Sequence, residues 1–166
     1  MLNASRPLPE ILVGTPSAGP VTEDNPNPRW QALVRAYRQK VTKGSTSLGV
    51  PGYGFYLNMR AALLAIEKIN GDLGKDHAHF KTALASLEFE SPTGLIKLDH
   101  NRQAIADIFI NVLDQRADGS FYNRLVKTTP QVNSTLGIPE AEYLTLGSLT
   151  RNTDIQGWID KLNVSG

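Results

Sequence analysis

Residues 91–128 read SPTGLIKLDHNRQAIADIFINVLDQRADGSFYNRLVKT, and their pattern predicts a turn, a short strand and a β-hairpin. It opens with Ser91-Pro92-Thr93-Gly94, a combination of Ser, Pro and Gly that is typical of turns. The residues after it, 95–98, are Leu, Ile, Lys and Leu, which predict a short strand. The chain is therefore expected to turn and extend at this point.

The longer part of this stretch predicts a β-hairpin. Apolar and polar residues alternate along 105–113 and again along 121–127, which is the period of a strand with one buried face. The first run puts Ile108, Ile110 and Val112 on one face. The Asp118-Gly119 pair between the two runs favours a tight turn. We therefore predict an antiparallel hairpin over residues 105–127.

Before this stretch the apolar residues repeat every three to four positions, which indicates helices. Asn27 can cap a helix, and Pro28 suits its first position, so a helix is predicted over about 28–41. Its apolar face consists of Trp30, Leu33, Val34 and Tyr37. A third, shorter helix is predicted at about 76–87, with Phe80, Ala83, Leu84 and Leu87 facing inward.

The second predicted helix, from about Tyr53 to Asn70, is rich in alanine. It follows a polar, glycine-rich connection at 44–52, and Asn70-Gly71 is a typical stop because both residues tolerate the left-handed conformation. Its buried stripe is predicted to comprise Phe55, Met59, Ala62, Leu63 and Ile66.

The ends of the chain carry weaker patterns. The apolar run 10–14 (EILVG) suits a buried strand, and residues 15–28, which hold four prolines, suit a loop. After Pro130, the sequence predicts one short helix at 138–146, with Pro139 in its first turn, and another at 154–162.

The composition excludes several classes of function. The 166 residues are 40% hydrophobic and 20% charged, with a formal net charge of +1, so a general electrostatic attraction to nucleic acid is not expected. The chain has no cysteine, which excludes disulfides, thiolate catalysis and cysteine-based metal sites. Neither a signal peptide nor a membrane span is legible in it.

Polar residues that could carry catalysis or bind metal are scattered. His77 and His79 are two residues apart, which does not place them on one helical face, and His100 is remote. The carboxylates Glu88, Glu90 and Asp99 lie near one turn, where solvated loop acids are the simpler interpretation. Neither a metal nor another cofactor is predicted.

The hydroxyl side chains of the glycine-rich connection, Ser45, Thr46 and Ser47, are nucleophiles by residue type only. The Gly-x-Ser-x-Gly elbow of serine hydrolases is missing around them. Because no nucleophile, base and metal form a legible set, the chain is not expected to be an enzyme.

Tyr53 and Tyr56 are the candidate ligand-binding residues. They lie early in the alanine-rich helix, directly after the glycine-rich connection, where free N–H groups can face an anion and a tyrosine can stack or hydrogen-bond. The alternative is that Tyr56 packs in the core and Tyr53 is partly exposed.

The order of these segments resembles the carboxy-terminal portion of type I periplasmic solute-binding proteins, the receptors of ABC importers for branched-chain amino acids and related solutes. The resemblance covers roughly residues 10–151 and includes YGFYLNMRAALLAIEKING. Its most specific part is 92–114, with Pro-Thr-Gly, a strand ending in Asp99, and Asn101-Arg102-Gln103. The tail 133–151 is similar to that of members that take aromatic acids.

The resemblance implies an α/β fold of two Rossmann-like lobes, of which this chain would form a part that includes the hairpin 105–127. Residues 10–91 would belong to the first lobe, and 88–92 would be the last hinge. Residues 92–130 would return to the second lobe, and 131–166 would form a tail with short helices. Family members are more than twice as long as this chain, so it is expected to be a truncated form.

The same resemblance implies a function. The chain would take part in periplasmic binding of a small carboxylate, either a branched-chain amino acid or an aromatic acid, and would present it to the membrane subunits of an ABC importer. As an alternative, a fragment that no longer binds solute would assemble into a homo-oligomer through its exposed apolar faces and act as an interaction module.

Overall fold

The computed structural model describes residues 10–43, 47–146, 154, 156–157 and 159–160. These residues form an α/β structure in which three helices precede the main part of a sheet. After a short 3-10 turn at Glu10–Leu12, the elements are β1 (Pro16–Gly19), α1 (Pro28–Lys40), α2 (Gly49–Lys68), α3 (Ala78–Ala85), β2 (Glu88–Ser91), β3 (Gly94–Leu98), β4 (Ala104–Gln115), β5 (Phe121–Val132) and α4 (Glu140–Thr145).

Strand β4 is the centre of a five-stranded sheet in which every pair of strands is antiparallel. β5 runs along most of its length, while β1 pairs with residues 109–112. Because these two pairings overlap, β1 and β5 lie on opposite edges of β4. β3 pairs with the first two residues of β4, and β2 forms a hairpin with β3.

The predicted hairpin is confirmed, and its second strand is longer than expected. β4 and β5 join through a turn in which Gly119 has φ of 83° and the N–H of Arg116 donates to the carbonyl of Ser120 at 2.8 Å. β5 continues to Val132, past Pro130, and its register with β4 shifts at two bulges. A proline is tolerated in an edge strand or at a bulge, and Pro130 lies at a bulge in an edge strand.

The hairpin buries one face much more than the other. Ile108, Ile110 and Val112 share a face as predicted, and each is half-buried. Phe109, Asn111 and Leu113 occupy the opposite face and are buried.

The prediction of a strand at 10–14 is wrong. Residues Glu10–Leu12 form a 3-10 turn, and Ile11 is 87% exposed. The strand lies further on, at Pro16–Gly19, within the segment that was predicted to be a loop. Proline does not prevent this strand, because β1 is only four residues long and Pro16 is its first residue, a position at which proline is tolerated.

Helix α1 is confirmed, including its start. The side chain of Asn27 accepts a hydrogen bond from the N–H of Arg29 at 2.9 Å, and Pro28 occupies the first turn. Trp30 is 3% exposed and forms a core cluster with Leu48 and Tyr53. Leu33, Val34 and Tyr37, the other members of the predicted face, pack against this cluster while remaining partly exposed.

Helix α2 begins earlier and faces the core differently from the prediction. It starts at Gly49, so the end of the predicted connection 44–52 is helical. The predicted buried stripe is wrong at three of its members, because Phe55, Met59 and Leu63 are 79%, 62% and 58% exposed. The opposite side, with Tyr53 and Ala65, is buried instead. This helix is apolar on two sides, so periodicity alone could not select the packed one.

The remaining helices are shorter than predicted. In α3 Ala83 is buried, and Phe80, Leu84 and the following Leu87 are half-buried, as their inward orientation requires. The predicted short helix at 138–146 is confirmed as α4, with Pro139 just before its first residue. Of the helix predicted at 154–162, residues 156, 157, 159 and 160 are helical, and residues 155, 158, 161 and 162 lie outside the described residues.

Candidate functional site

Tyr53 lies in the second turn of α2 and is only 1% exposed. Its ring contacts that of Trp30 edge to face, with centroids 5.4 Å apart. Such an arrangement of two aromatic rings is favourable beyond the area that it buries. The contact joins the start of α2 to the start of α1 and fixes the ring of Tyr53 in the core.

The hydroxyl of Tyr53 reaches out of this apolar cluster to the turn between β2 and β3. It donates to Oγ of Ser91 at 3.1 Å and lies 2.7 Å from Oγ1 of Thr93. Ser91 is fully buried and Thr93 is 6% exposed. A buried phenol normally finds hydrogen-bond partners, and these two satisfy that requirement.

The hydrogen bonds in this cluster form a directed chain. Ser91 donates its hydroxyl hydrogen to the carbonyl of Gly94 at 2.6 Å, so it can only accept from Tyr53. Because the hydroxyl hydrogen of Tyr53 is donated to Ser91, the hydroxyl of Thr93 is the donor in its 2.7 Å contact with the Tyr53 oxygen. Burial raises the pKa of Tyr53, and the hydrogen bonds with Ser91 and Thr93 oppose that rise.

Tyr56 lies one turn further along α2 and is half-buried. Its ring stacks on that of Tyr53, with a centroid separation of 6.2 Å and an angle of 19° between the planes. The two predicted site residues are therefore brought together. The alternative, in which Tyr56 is the core residue and Tyr53 is partly exposed, is the reverse of what is observed.

Sequence reasoning missed three polar groups around Tyr53. Ser91 and Thr93 were assigned only to a turn, although hydroxyls two residues apart beside a proline often bond within a turn. Trp30 was assigned to the apolar face of α1. Its Nε1 is buried and has no hydrogen-bond partner within the described part of the chain.

A shallow groove lies at the other end of α2. It has a volume of about 410 Å³ and is lined by Leu64, Glu67, Lys68, Ser86, Leu87, Glu88 and Phe89. Tyr53 and Tyr56 are not part of its lining. The groove is wide open and mostly apolar, and the charged residues of its lining are exposed. It lacks the convergent polar groups that orient a small ligand in an enclosed site.

The three histidines do not meet. Nδ1 of His79 lies 3.0 Å from Oδ2 of Asp72, and His77 precedes α3 with φ of 58°. Nε2 of His100 lies 3.2 Å from Oε2 of Glu140. In the described ranges, no group of three or more His, Asp or Glu residues could hold a metal ion.

The carboxylates near the β2–β3 turn do not converge either. Glu90 is paired with Arg29 at 3.1 Å, and Glu88 is exposed. Asp99 accepts from the N–H groups of Asn101 and Gln103, which closes the turn between β3 and β4. Of the candidate hydroxyls in 45–47, Ser45 and Thr46 lie outside the described residues.

None of the described helices is long and apolar enough to cross a membrane.

Comparison with solved structures finds similar folds among solute-binding proteins of ABC transporters. A substrate-binding protein from Sphaerobacter thermophilus has a TM-score of 0.66 and 23% identity over 74% of this chain and 32% of its own. A solute-binding protein from Rhodopseudomonas palustris BisB5, in complex with 3,4-dihydroxybenzoic acid, has a TM-score of 0.65 and 22% identity over 75% and 33%. A leucine-, isoleucine-, valine-, threonine- and alanine-binding protein from Brucella ovis has a TM-score of 0.60 and 11% identity over 74% of this chain and 32% of its own.

No protein-family model and no curated protein matches the sequence. The described chain has the fold of a portion of a type I periplasmic solute-binding protein, so the resemblance predicted from the sequence is confirmed for the fold over about three quarters of the chain. Its neighbours are named as solute-binding proteins rather than enzymes. The chain spans about a third of their length.

Proposed function

We propose that this chain is part of a receptor that binds a small carboxylate and delivers it to the membrane subunits of an ABC importer. The observation that carries the proposal is the fold, which is shared over about three quarters of the chain with ABC-transporter binding proteins. Three of the similar structures were solved with hydroxylated benzoic acids, and a fourth was solved with benzoate. An aromatic acid is therefore the first ligand to test, and a branched-chain amino acid is the second.

Of the two predicted site residues, Tyr53 and Tyr56, we assign Tyr56 to ligand contact and Tyr53 to holding Tyr56 in place. Tyr56 is half-buried and its ring is held by the stack on Tyr53, so one of its faces is supported and pre-oriented. A rigid aromatic side chain contributes contact area at a low cost in conformational entropy. Tyr53 supports it from the core, since its own hydroxyl is already bonded to Ser91 and Thr93.

The two-lobe organisation belongs to the same proposal. Residues 10–91 would form part of the first lobe, 92–130 would return to the second, and 131–166 would be the tail. In this arrangement the turn between β2 and β3 is the place where the chain crosses between lobes. Ligand would bind in the cleft between the lobes, in the periplasm, in a protein longer than these 166 residues.

Isothermal titration calorimetry on the full product of the gene that encodes this chain tests the proposal. We expect saturable binding of benzoate, 4-hydroxybenzoate, 3,4-dihydroxybenzoate or leucine at micromolar concentration. Tyr56→Ala should weaken the binding about tenfold or more, because it removes a stacked aromatic contact. Absence of heat from all four carboxylates at millimolar concentration would contradict the proposal.

A matched control separates the role of Tyr56 from a general effect of losing a tyrosine. Tyr122 lies in β5 near the hairpin turn, where its ring faces the guanidinium of Arg116 at 3.9 Å. Tyr122→Ala should leave the affinity for the same acid within about twofold. An equal loss in both variants would mean that Tyr56 has no specific role.

A second candidate function rests on a different observation, the exposed apolar stripe of α2 formed by Phe55, Met59 and Leu63. Exposed apolar residues that adjoin one another along a helix commonly mark an interaction surface. The chain would then self-associate through this stripe and need not bind solute. Sedimentation velocity distinguishes the two, because a monomer at micromolar concentration excludes the interaction module.

A further inference from the structure

We propose that Tyr53 is a positioning residue whose hydroxyl ties the start of α2 to the turn between β2 and β3 and so fixes the orientation of Tyr56. The ligand-related part of this inference rests on the proposed function. The tie itself depends only on the hydrogen bonds that join the hydroxyls of Thr93, Tyr53 and Ser91 and the carbonyl of Gly94.

Burial makes this chain of hydroxyls sensitive to the loss of any member. Tyr53, Ser91 and Thr93 are 1%, 0% and 6% exposed. Solvent water therefore has no direct access to replace a missing hydroxyl. A buried donor or acceptor that loses its partner costs much more than a solvent-exposed one. Removal of the phenol oxygen would leave the hydroxyl of Thr93 without its acceptor and Ser91 with one donor fewer.

The turn side of the tie is itself rigid. The Oγ atom of Ser91 accepts the N–H of Thr93 at 3.1 Å and donates to the carbonyl of Gly94 at 2.6 Å. Gly94 has φ of 126°, a conformation that other residues rarely adopt. The serine therefore closes the turn from within, and the phenol of Tyr53 bonds to that closed unit rather than to a loose loop.

The helix side of the tie leads to Tyr56. The ring of Tyr53 contacts the ring of Trp30 edge to face and stacks with the ring of Tyr56. A shift of Tyr53 away from Ser91 would therefore move the surface on which Tyr56 stacks. In the proposed two-lobe receptor, this contact would link a ligand-facing ring to the crossing segment by two hydrogen bonds.

Hydrogen exchange and ring chemical shifts, measured by NMR without ligand, test the tie directly. Tyr53→Phe keeps the ring and removes only the hydroxyl. We expect the amide of Thr93 to exchange at least about tenfold faster, since a buried bond in its turn is lost. The ring protons of Tyr56 should shift as well. Amides of the β4–β5 hairpin should be unchanged, which a general loss of stability would not allow.

Three further variants sharpen the result. Tyr122→Phe removes a hydroxyl from the hairpin and should change neither readout. Thr93→Ser keeps the hydroxyl, so its amide exchange and Tyr56 shifts should match those of the parent protein. Thr93→Val removes the hydroxyl and should change both readouts as Tyr53→Phe does. Thr93→Val also decides the question if Tyr53→Phe fails to fold. Unchanged exchange and unchanged Tyr56 shifts in both Tyr53→Phe and Thr93→Val would overturn the inference.

Titration with 4-hydroxybenzoate separates this inference from the proposed function. If the parent protein binds the acid, Tyr53→Phe should weaken binding about tenfold, and Thr93→Ser should stay within about twofold. Equal affinity in the parent and in Tyr53→Phe would overturn the positioning role. If the parent binds none of the four carboxylates, the proposed function fails, and the two ligand-free readouts alone decide whether Tyr53 orients Tyr56.

Discussion

Oδ1 of Asp24 accepts a hydrogen bond from the N–H of Leu125 at 2.9 Å, at the point where β5 leaves regular pairing with β4. Ile110 pairs with Lys127 and Asn111 with Leu125, so Val126 is an extra residue at a bulge. A bulge interrupts the ladder of hydrogen bonds, and here a loop carboxylate supplies an acceptor. The hydroxyl of the buried Thr22 donates to the same oxygen at 3.1 Å. The loop between β1 and α1 is thus fastened to the hairpin.

Asp24→Ala should therefore destabilise the hairpin by about 1–2 kcal/mol, because a backbone N–H loses a charged acceptor. Asp24→Asn keeps an oxygen at the same place and should lose less than half as much. Chemical denaturation of the two variants measures the difference. Equal losses in both would mean that the bond to Leu125 does not stabilise the bulge.

Gly94→Ala should cost more than glycine substitutions elsewhere. An added Cβ at Gly94 would lie 2.7 Å from Oδ2 of Asp107, and the backbone already has φ of 126°. Gly119→Ala is the matched control, since Gly119 also has a positive φ, 83°, and open space around it. We expect a loss of about 1 kcal/mol for Gly119→Ala and at least about 2 kcal/mol for Gly94→Ala, read from thermal unfolding. Similar values would show that the carboxylate of Asp107 moves aside freely.

The ion pair of Asp114 and Arg124 should be lost in acid. Nε of Arg124 donates to Oδ2 of Asp114 at 2.7 Å, and this bond lowers the pKa of Asp114. A lowered pKa contributes stability that is present above the unfolded value of about 3.9 and disappears as the pH falls through the folded pKa. Carbon-13 NMR titration of the carboxyl should give a lower midpoint in the parent than in Arg124→Ala. Coincident midpoints would contradict the assignment.

Tyr53 should resist ionisation at high pH. Burial raises its pKa above the ordinary value of about 10. The folded state therefore holds the phenol proton more tightly than the unfolded state. The resulting stability is fully present below about pH 10 and is lost as the pH rises through the folded pKa. Absorbance at 295 nm should show a late component that Tyr53→Phe removes, and a titration of unchanged shape in that variant would refute the prediction.

The apolar stripe of α2 should tolerate polar residues in the monomer. Phe55→Gln and Leu63→Gln should each change the free energy of unfolding by no more than about 0.5 kcal/mol, since both side chains are mostly exposed. Trp30→Ala, in the core cluster, should cost about 3–5 kcal/mol. Urea denaturation compares them. A loss above about 2 kcal/mol at Phe55 would place the stripe in a packed interface.

Local patterns predicted the parts of the fold that local physics decides. Alternation and the Asp118-Gly119 turn predicted the hairpin, and Asn27-Pro28 predicted the start of α1. The strand β1 was missed because its pairing with residues 109–112 connects segments about ninety residues apart, and its own sequence of Pro, Ser, Ala and Gly carries no strand pattern.

For a related reason, the sequence could not predict which side of α2 packs against the core. Both sides of the helix carry apolar residues at a helical period. One side has Leu57, Leu64 and Ala65, and the other has Phe55, Met59 and Leu63. What distinguishes the sides is the hydroxyl of Tyr53, whose partners Ser91 and Thr93 are 38 and 40 residues away. The two candidate tyrosines were predicted to lie together, whereas the hydrogen-bond partners of Tyr53 depend on this tertiary contact.

Pro130 bears on how this chain behaves at high concentration. In the described sheet β5 pairs only with β4, and the loop between β1 and α1, not another strand, bonds to it at Asn123 and Leu125. Pro130 offers no N–H to a strand from another molecule, and the two bulges within the β4–β5 pairing break the regular spacing that a growing fibril needs. Stacking of copies into cross-β aggregates through this edge is thereby disfavoured. Self-association would then depend on the exposed apolar side chains of α2.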